Sequence, residues 1–223
     1  MRKLCVITAI ISLLCILAAC STSAAVYYTD STLFTDILSG SHTETFDSSY
    51  TSSGSFAGPL DSSTDNTKFK LGDIEDGIRF SVSANGLYRG KNGGDWSLGC
   101  QQIAPGVTMT IALLTADITA IGMDIVDDYG MERSPSVKVY DTANVEIGSW
   151  TGYVAKGGRT FFGVSSSVAI GKITIWSGPS PAIDNVTFGN TKAPAAVPEP
   201  ATLLGFGIPM LMVGLGKIKS LRK

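Results

Sequence analysis

The segment Val107-Thr-Met-Thr-Ile-Ala-Leu113 alternates apolar side chains with small or polar ones. A period of two residues is typical of a β-strand with one buried face and one exposed face. Further short extended segments occur at residues 42–47, 77–84, 118–125, 136–140, 145–150, 160–164, 169–176 and 183–188. Turn signals rich in Gly, Pro, Asn and Asp separate many of them. This pattern predicts an all-β, antiparallel sandwich and not a parallel sheet with connecting helices.

One short helix is predicted near the start of this β-rich region. Asp30 or Ser31 can cap it, and Gly40 can end it. Its apolar face consists of Leu33, Phe34, Ile37 and Leu38. Residues 41–65, which include eight Ser and four Thr, predict a long exposed loop because they offer few apolar side chains for packing.

The composition excludes several classes of function. The chain has 223 residues, a formal net charge of −2 and one histidine, His42. A single histidine excludes a multi-histidine metal site and a histidine relay. Nucleic-acid binding needs a basic surface, which this slightly acidic chain does not predict.

The N-terminal segment predicts export. Arg2 and Lys3 precede residues 4–19, a run of 16 uncharged and mostly apolar residues. As a helix this run spans about 24 Å, which is short for the roughly 30 Å hydrocarbon core of a bilayer. A cleaved signal peptide therefore fits better than a permanent anchor.

Two processing sites compete at the end of this signal. Small residues before the bond between Ala25 and Val26 suit signal peptidase, which would make Val26 the mature N-terminus. Alternatively, Leu17-Ala-Ala-Cys20 resembles the bacterial lipobox, which would make Cys20 a lipidated N-terminus. Both sites stay open at this point.

The C-terminal end predicts a second membrane segment. The apolar run at residues 201–216 is followed by four cations and no acid, namely Lys217, Lys219, Arg222 and Lys223. The positive-inside rule places these cations in the cytoplasm. Because the N-terminal cations prefer the same side, the region between the two ends is expected outside.

This C-terminal pattern resembles the PEP-CTERM sorting signal of Gram-negative bacteria. The resemblance rests on the motif Val197-Pro198-Glu199-Pro200-Ala201-Thr202-Leu203-Leu204, the hydrophobic helix 201–216 and the basic tail 217–223, in that order. It implies recognition by an exosortase, a membrane cysteine protease-transpeptidase, near Pro198-Glu199-Pro200. It also implies sorting to the surface of a bacterium that makes exopolysaccharide. An ordinary tail anchor is the alternative.

These features divide the chain into three parts. Residues 1–25 are the signal peptide, 26–192 the sandwich domain, and 193–223 a linker with the sorting segment. Short stretches of the middle part, among them residues 45–47, 77–81 and 182–188, resemble a pattern common in PEP-CTERM cargo. That resemblance implies a jelly-roll-like sandwich of the galactose-binding or lectin type.

A structural calcium site is one candidate for chemistry. If the first and last strands lie side by side, Glu44, Asp47 and Asp184 could converge, and backbone carbonyls could complete six to eight oxygen ligands. The alternative is that Asp184 only accepts hydrogen bonds in a turn. A second acidic group, Asp124, Asp127 and Asp128, is a weaker metal candidate, with one or two exposed acids expected in a hairpin turn.

Sugar binding by aromatic side chains is the second candidate. Trp96 lies in the Gly-rich residues 90–99, where a flexible loop would expose its ring for stacking on a sugar. Three nearby side chains could bond sugar hydroxyls: Arg89, Asn92 and Asp95. Strand-end alternatives are Trp150, Tyr153 and Trp176. Packing in the interior is the other interpretation of Trp150, Trp176 and Trp96.

The sequence as a whole predicts a non-enzymatic, exported surface or matrix protein that contacts exopolysaccharide. Its expected partners are signal peptidase, an exosortase and the membrane during export. A surface glycosidase or esterase is an alternative, although Gly-x-Ser-x-Gly is absent and His42 is the one histidine base available. A lipoprotein scaffold attached through Cys20 is another. No cofactor besides calcium is expected.

Overall fold

Strand β7 (Thr108–Leu113) shows the burial pattern that its sequence predicts. In the computed structural model, Met109 and Ile111 are fully buried, whereas Thr108 and Thr110 are half-buried. The structure describes residues 25–47, 53–83, 86–92, 95–100, 107–127, 130–177 and 182–192. The predicted signal and sorting helices lie outside these residues.

The described strands form two antiparallel sheets. The strands are β1 (Val26–Tyr28), β2 (Leu38–Glu44), β3 (Gly54–Phe56), β4 (Ile78–Val82), β5 (Leu87–Asn92), β6 (Asp95–Cys100), β7 (Thr108–Leu113), β8 (Ala120–Val126), β9 (Ser136–Asp141), β10 (Glu146–Thr151), β11 (Arg159–Ser165), β12 (Ile170–Trp176) and β13 (Ala182–Thr191). The larger sheet has the order β1-β11-β8-β13-β6-β5-β3, and β2 also pairs with β13. The smaller sheet has the order β10-β9-β12-β7-β4.

The chain crosses between the two sheets repeatedly. From β7 onward, every connection except the β9–β10 hairpin leads from one sheet to the other. Such crossing connections are those of a double-sheet jelly roll. The predicted fold class, an all-β, jelly-roll-like antiparallel sandwich, is therefore confirmed.

One apolar core lies between the sheets. The smaller sheet contributes Phe80, Ile111, Val139 and Ile173, and the larger sheet contributes Leu98, Ile121, Phe162 and Ile183. These side chains are fully buried. Each buried aliphatic or aromatic side chain of this size contributes about 1.5–3 kcal/mol to folding, so this layer is the main source of stability.

The predicted helix is present but shorter. Helix α1 (Ser31–Asp36) is capped by Asp30, whose carboxylate accepts hydrogen bonds from the N–H groups of Thr32 and Leu33. Phe34 is its buried residue. The prediction that Gly40 ends the helix is wrong, because β2 already begins at Leu38.

The first and last strands that the sequence indicates lie side by side, which is the condition that the calcium hypothesis required. Strand β2 pairs antiparallel with β13, with Glu44 opposite Val186 and Leu38 opposite Thr191. All the described strands belong to one compact unit, which ends at Thr191. Within the described residues, no helix is long and apolar enough to cross a membrane.

Candidate functional site

The predicted flexible loop at residues 90–99 is wrong. Strand β5 pairs with β6 over six residue pairs, from Leu87 opposite Cys100 to Asn92 opposite Asp95. This pairing makes a β-hairpin with a two-residue connection. Asn92 and Asp95 are Cα partners at its end, and their side chains lie outside the part of the chain that the structure describes.

Arg89 and Trp96 are brought together, but in the interior. Arg89 is fully buried, and its Nε–H donates a 3.0 Å hydrogen bond to the carbonyl of Phe46. Its guanidinium carbon lies 3.7 Å from the centroid of the Trp96 ring and 5.2 Å from that of Phe69. One face of Trp96 is therefore covered by Arg89, and the pair is a cation–π contact within the fold.

The environment of Arg89 is electrostatically mixed. Burial lowers the pKa of its guanidinium, whereas the negative charges of Asp47, Asp73 and Glu44 raise it. Buried cations persist when hydrogen bonds and nearby charges compensate for lost hydration. Here the Phe46 carbonyl, the two rings and the three acids provide that compensation, which fits a structural role for Arg89.

The three acids of the predicted calcium site have separate local partners. Asp47 is exposed and accepts a 3.0 Å hydrogen bond from the Thr45 hydroxyl. Asp184 is buried and accepts a 2.8 Å hydrogen bond from the N–H of Asn185, at a bulge of β13. Among the described residues, no three His, Cys, Asp or Glu side chains group closely enough to hold a metal. The structure thus does not assemble Glu44, Asp47 and Asp184 as a metal centre.

Glu44 has a strongly perturbed carboxyl group. It is buried, its Oε1 accepts the N–H of Phe46, and its Oε2 accepts the N–H of Glu75 at 2.9 Å. Burial raises the pKa of Glu44 to about 7, and the charges of Glu75 and Asp47 add to that effect while the two N–H donors oppose it. Glu44 therefore ties the segment around Glu75 to the end of β2.

One of the two described members of the second acidic group is buried. Asp127 is buried, and its carboxylate accepts hydrogen bonds from the Arg133 guanidinium at 3.0 Å and from the N–H of Gly157 at 2.7 Å. Both side chains of this ion pair are fully buried. Asp124 accepts a 2.9 Å hydrogen bond from the Asn185 amide, and Asp128 lies outside the described residues.

Two of the strand-end aromatics have different environments. Trp150 packs against the core, with its ring centroid 5.1 Å from that of Phe162. Trp176, by contrast, is 46% exposed, so its assignment to the interior is wrong. The alternation Lys172-Ile-Thr-Ile-Trp176 could have shown this, because the buried residues Ile173 and Ile175 place Trp176 on the opposite, polar face of β12.

Trp176 lines two surface grooves, the first of which lies on the smaller sheet. The first groove, of about 350 Å³, is lined by Thr108, Ser136, Lys138, Thr174 and Trp176. The second, of about 380 Å³, is lined by Glu132, Arg133, Ser134, Tyr153 and Trp176. Trp176 is the Cα partner of Thr108 on one side and of Ser136 on the other. Sheet pairing therefore fixes hydroxyl groups on both sides of the indole.

Tyr153 supplies a second exposed ring near Trp176. It is 56% exposed and lines the second groove. A hydrogen bond between its hydroxyl and Glu132 raises the pKa of Tyr153. The adjacent residue Arg133 is held by Asp127, so a buried ion pair supports the segment that carries Glu132.

The comparisons with known proteins find a distant likeness in fold. No protein-family model matches the chain, and neither does any curated protein. The module CsCBM6-3 from Clostridium stercorarium, solved with cellobiose, is 15% identical, with a TM-score of 0.34 over 50% of this chain and 87% of that one. A second family 6 carbohydrate-binding module is 12% identical, with a TM-score of 0.34 over 60% and 94%. The CBM22-1–GH10 modules of Clostridium thermocellum xylanase 10B, solved with xylohexaose, are 14% identical, with a TM-score of 0.33 over 52% and 25%.

These likenesses do not identify a ligand. Identities below 25% speak to fold alone, and fold does not determine function. Of the predicted processing residues, Ala25 and Val26 are described, and Val26 begins β1 opposite Ser165. Cys20, Pro198, Glu199 and Pro200 lie outside the described residues.

Proposed function

We propose that this chain is an exported, surface-sorted protein whose sandwich domain binds polysaccharide without catalysing a reaction. The observation that carries the binding proposal is the exposed indole of Trp176, which lines two grooves. Trp176 and Tyr153 take the place of Trp96 as the binding aromatics, because Arg89 covers one face of the Trp96 ring.

An exposed tryptophan on a polar sheet face favours a ligand with both apolar and polar parts. Large apolar side chains exposed beside grooves mark interaction sites more often than scattered single ones do. A pyranose ring has a face of C–H groups that can stack on an indole and a periphery of hydroxyls. Tryptophan suits such a ligand because it offers a large, rigid area that combines an apolar ring with a polar N–H.

The groups beside Trp176 suit the hydroxyls of a sugar chain. The hydroxyl groups of three lining residues can each donate and accept a hydrogen bond, namely Thr108, Ser136 and Thr174. The ammonium group of Lys138 can donate. Lys138 is held by a 2.9 Å ion pair with Glu146, which limits its freedom. Because Trp176 lines both grooves, the surface fits a chain of several sugar units better than a single one.

Surface sorting is supported by the sequence at both ends of the chain. The apolar segment after Arg2 and Lys3 favours export, and the PEP-CTERM-like motif with its basic tail favours handling by an exosortase. A protein delivered in this way to a polysaccharide-rich surface would meet the kind of ligand that the Trp176 surface fits.

The binding proposal is tested by affinity electrophoresis and calorimetry of the full-length chain in detergent. The probes are purified exopolysaccharide of the host, cellohexaose and xylohexaose. Trp176→Ala should abolish retention and Trp176→Phe should retain part of it, because phenylalanine keeps a stacking face. Leu71→Ala removes a side chain that is 71% exposed and lines neither groove, so it is the matched control. Equal retention of the wild type and Trp176→Ala would refute the assignment.

The sorting proposal is tested in the native cell. In a strain without its exosortase, full-length protein that keeps its C-terminal lysine should accumulate in the inner membrane. Replacement of Pro198-Glu199-Pro200 by three alanines should reproduce that phenotype. Unchanged surface delivery in both strains would refute exosortase recognition, and a mature N-terminus at Val26 would eliminate lipidation of Cys20.

A further inference from the structure

A separate cavity of about 310 Å³ lies where β2 pairs with β13, and we call it the β2–β13 pocket. It shares no lining residue with either groove beside Trp176. Its lining includes His42, Asp76, Thr115, Asp117, Phe188 and Asn190. The function proposed above uses none of these residues.

The two strands at the base of this pocket, β2 and β13, approach each other closely at a glycine. A Cβ atom on Gly189 would lie 2.3 Å from the carbonyl oxygen of Gly40, so β2 and β13 approach each other only because Gly189 has no side chain. The base is apolar, since Phe188 and Ile118 are almost completely buried. The His42 ring stacks on Phe188 with a centroid distance of 5.7 Å and an angle of 26°.

Backbone contacts hold the two acid-bearing loops of the pocket side by side. The N–H of Leu114 donates a 2.8 Å hydrogen bond to the carbonyl of Gly77, next to Asp76. The N–H of Thr119 donates to the carbonyl of Gly189 at 3.2 Å, which attaches the loop that carries Asp117 to β13. The carboxylates of Asp76 and Asp117 therefore lie on two loops that are fixed to the same part of the sandwich.

The two carboxylates that line the pocket, those of Asp76 and Asp117, can only accept hydrogen bonds when ionised. Asp76 and Asp117 are exposed acids, and the Glu75 carboxylate lies 3.3 Å from Nδ1 of His42. Oδ1 of Asn190 is buried and accepts no hydrogen bond from the residues that the structure describes. A ligand that brings donors and a positive charge would complement this arrangement.

We infer that the β2–β13 pocket binds a sugar unit that carries a protonated primary amine. The amine would lie between the carboxylates of Asp76 and Asp117, and a hydroxyl or the amine would donate to Oδ1 of Asn190. The volume is at the small end of ligand pockets, which suits one ring. A metal ion fits less well, since no three potential ligands group together among the described side chains. This inference does not depend on polysaccharide binding at Trp176.

Calorimetry with the full-length chain tests this inference. The probes are the tetramer of glucosamine, the tetramer of N-acetylglucosamine and tetralysine. The glucosamine tetramer should bind at least about tenfold more tightly than the acetylated tetramer, because acetylation removes the charge. It should also bind more tightly than tetralysine, which has amines but no sugar ring. Equal binding of the acetylated tetramer overturns the charge argument, and tighter binding of tetralysine overturns the sugar assignment.

Variants locate the binding. Asp76→Asn and Asp117→Asn should each weaken glucosamine-tetramer binding about three- to fivefold, and the double variant about tenfold or more. Asp65→Asn, which removes an exposed acid outside the pocket, is the control for overall charge, and Leu71→Ala, at an exposed residue outside the pocket and both grooves, should have no effect. Both carboxylates are exposed, and thermal unfolding checks the fold of each variant. If the double variant binds within about twofold of Asp65→Asn, or if only Trp176→Ala abolishes binding, the pocket is not the site.

Discussion

Replacing Glu44 by glutamine is expected to remove a pH-dependent loss of stability. The pKa of Glu44 is about 7 in the folded chain, compared with 4.5 for an ordinary glutamate, because burial disfavours its charged form. The folded state therefore binds more protons than the unfolded state between these two values. Stability contributed by this group is complete below about pH 4.5 and is lost as the pH rises through about 7. At about 1.4 kcal/mol per pH unit, the total loss is about 3 kcal/mol.

The Glu44→Gln substitution would also introduce a cost that does not depend on pH. Each carboxylate oxygen of Glu44 accepts one backbone N–H, from Phe46 and from Glu75. A glutamine has one carbonyl oxygen, so one N–H loses its acceptor, which costs about 1–3 kcal/mol. The change of stability with pH, and not its absolute value, is therefore the quantity that reports the titration of Glu44.

Urea unfolding at intervals between about pH 5 and pH 8.5 measures this quantity. The free energy of unfolding of the variant minus that of the wild type should rise by about 2–3 kcal/mol across this range. Asp65→Asn, which removes an exposed carboxylate, is the control for the loss of one acidic group. A flat difference for Glu44→Gln would show that burial does not hold the proton on Glu44 and would refute the reasoning.

Three further predictions concern the packing of the core and its buried ion pair. Phe34→Ala should lower the free energy of unfolding by about 3–5 kcal/mol, because Phe34 is fully buried. Leu33 is 61% exposed, so Leu33→Ala should change this free energy by less than about 0.5 kcal/mol. Comparable losses for the two variants would contradict the orientation of the helix. Asp127→Asn should lower the free energy of urea unfolding by about 3–5 kcal/mol, because the carboxylate that pairs with the buried Arg133 cation is removed. The double variant with Arg133→Met should recover part of that free energy, because it removes the buried cation as well. Trp150 is half-buried against the core, so Trp150→Ala should lower the free energy of unfolding by about 1–3 kcal/mol and lower the calorimetric unfolding temperature. An unchanged temperature would contradict this packing.

The strands that the sequence predicts well are those with a strict period of two. In β7 and β12, buried aliphatic residues alternate with polar ones, and each strand has one face on the core. The hairpin of β5 and β6 is not predicted, because its Gly, Lys and Asn residues do not alternate in this way. The two glycines between these segments, Gly93 and Gly94, are nevertheless a hairpin signal, since a Gly-Gly pair suits a two-residue turn.

The residues of the candidate sites are harder to predict because their environment depends on contacts distant in sequence. Arg89 is an ordinary surface residue by type, and only the position of the Phe46 carbonyl and the Trp96 ring makes its burial tolerable. Asp127 likewise carries no local sign of burial, which arises only when Arg133 and Gly157 fold over it. Trp176 is the converse case. Its exposure follows from its local alternation alone, whereas the size of its apolar ring favours an interior position. The alternation of apolar and polar residues along a strand therefore predicts which face of the sheet a side chain lies on. The partners that decide the role of that side chain come from the tertiary fold.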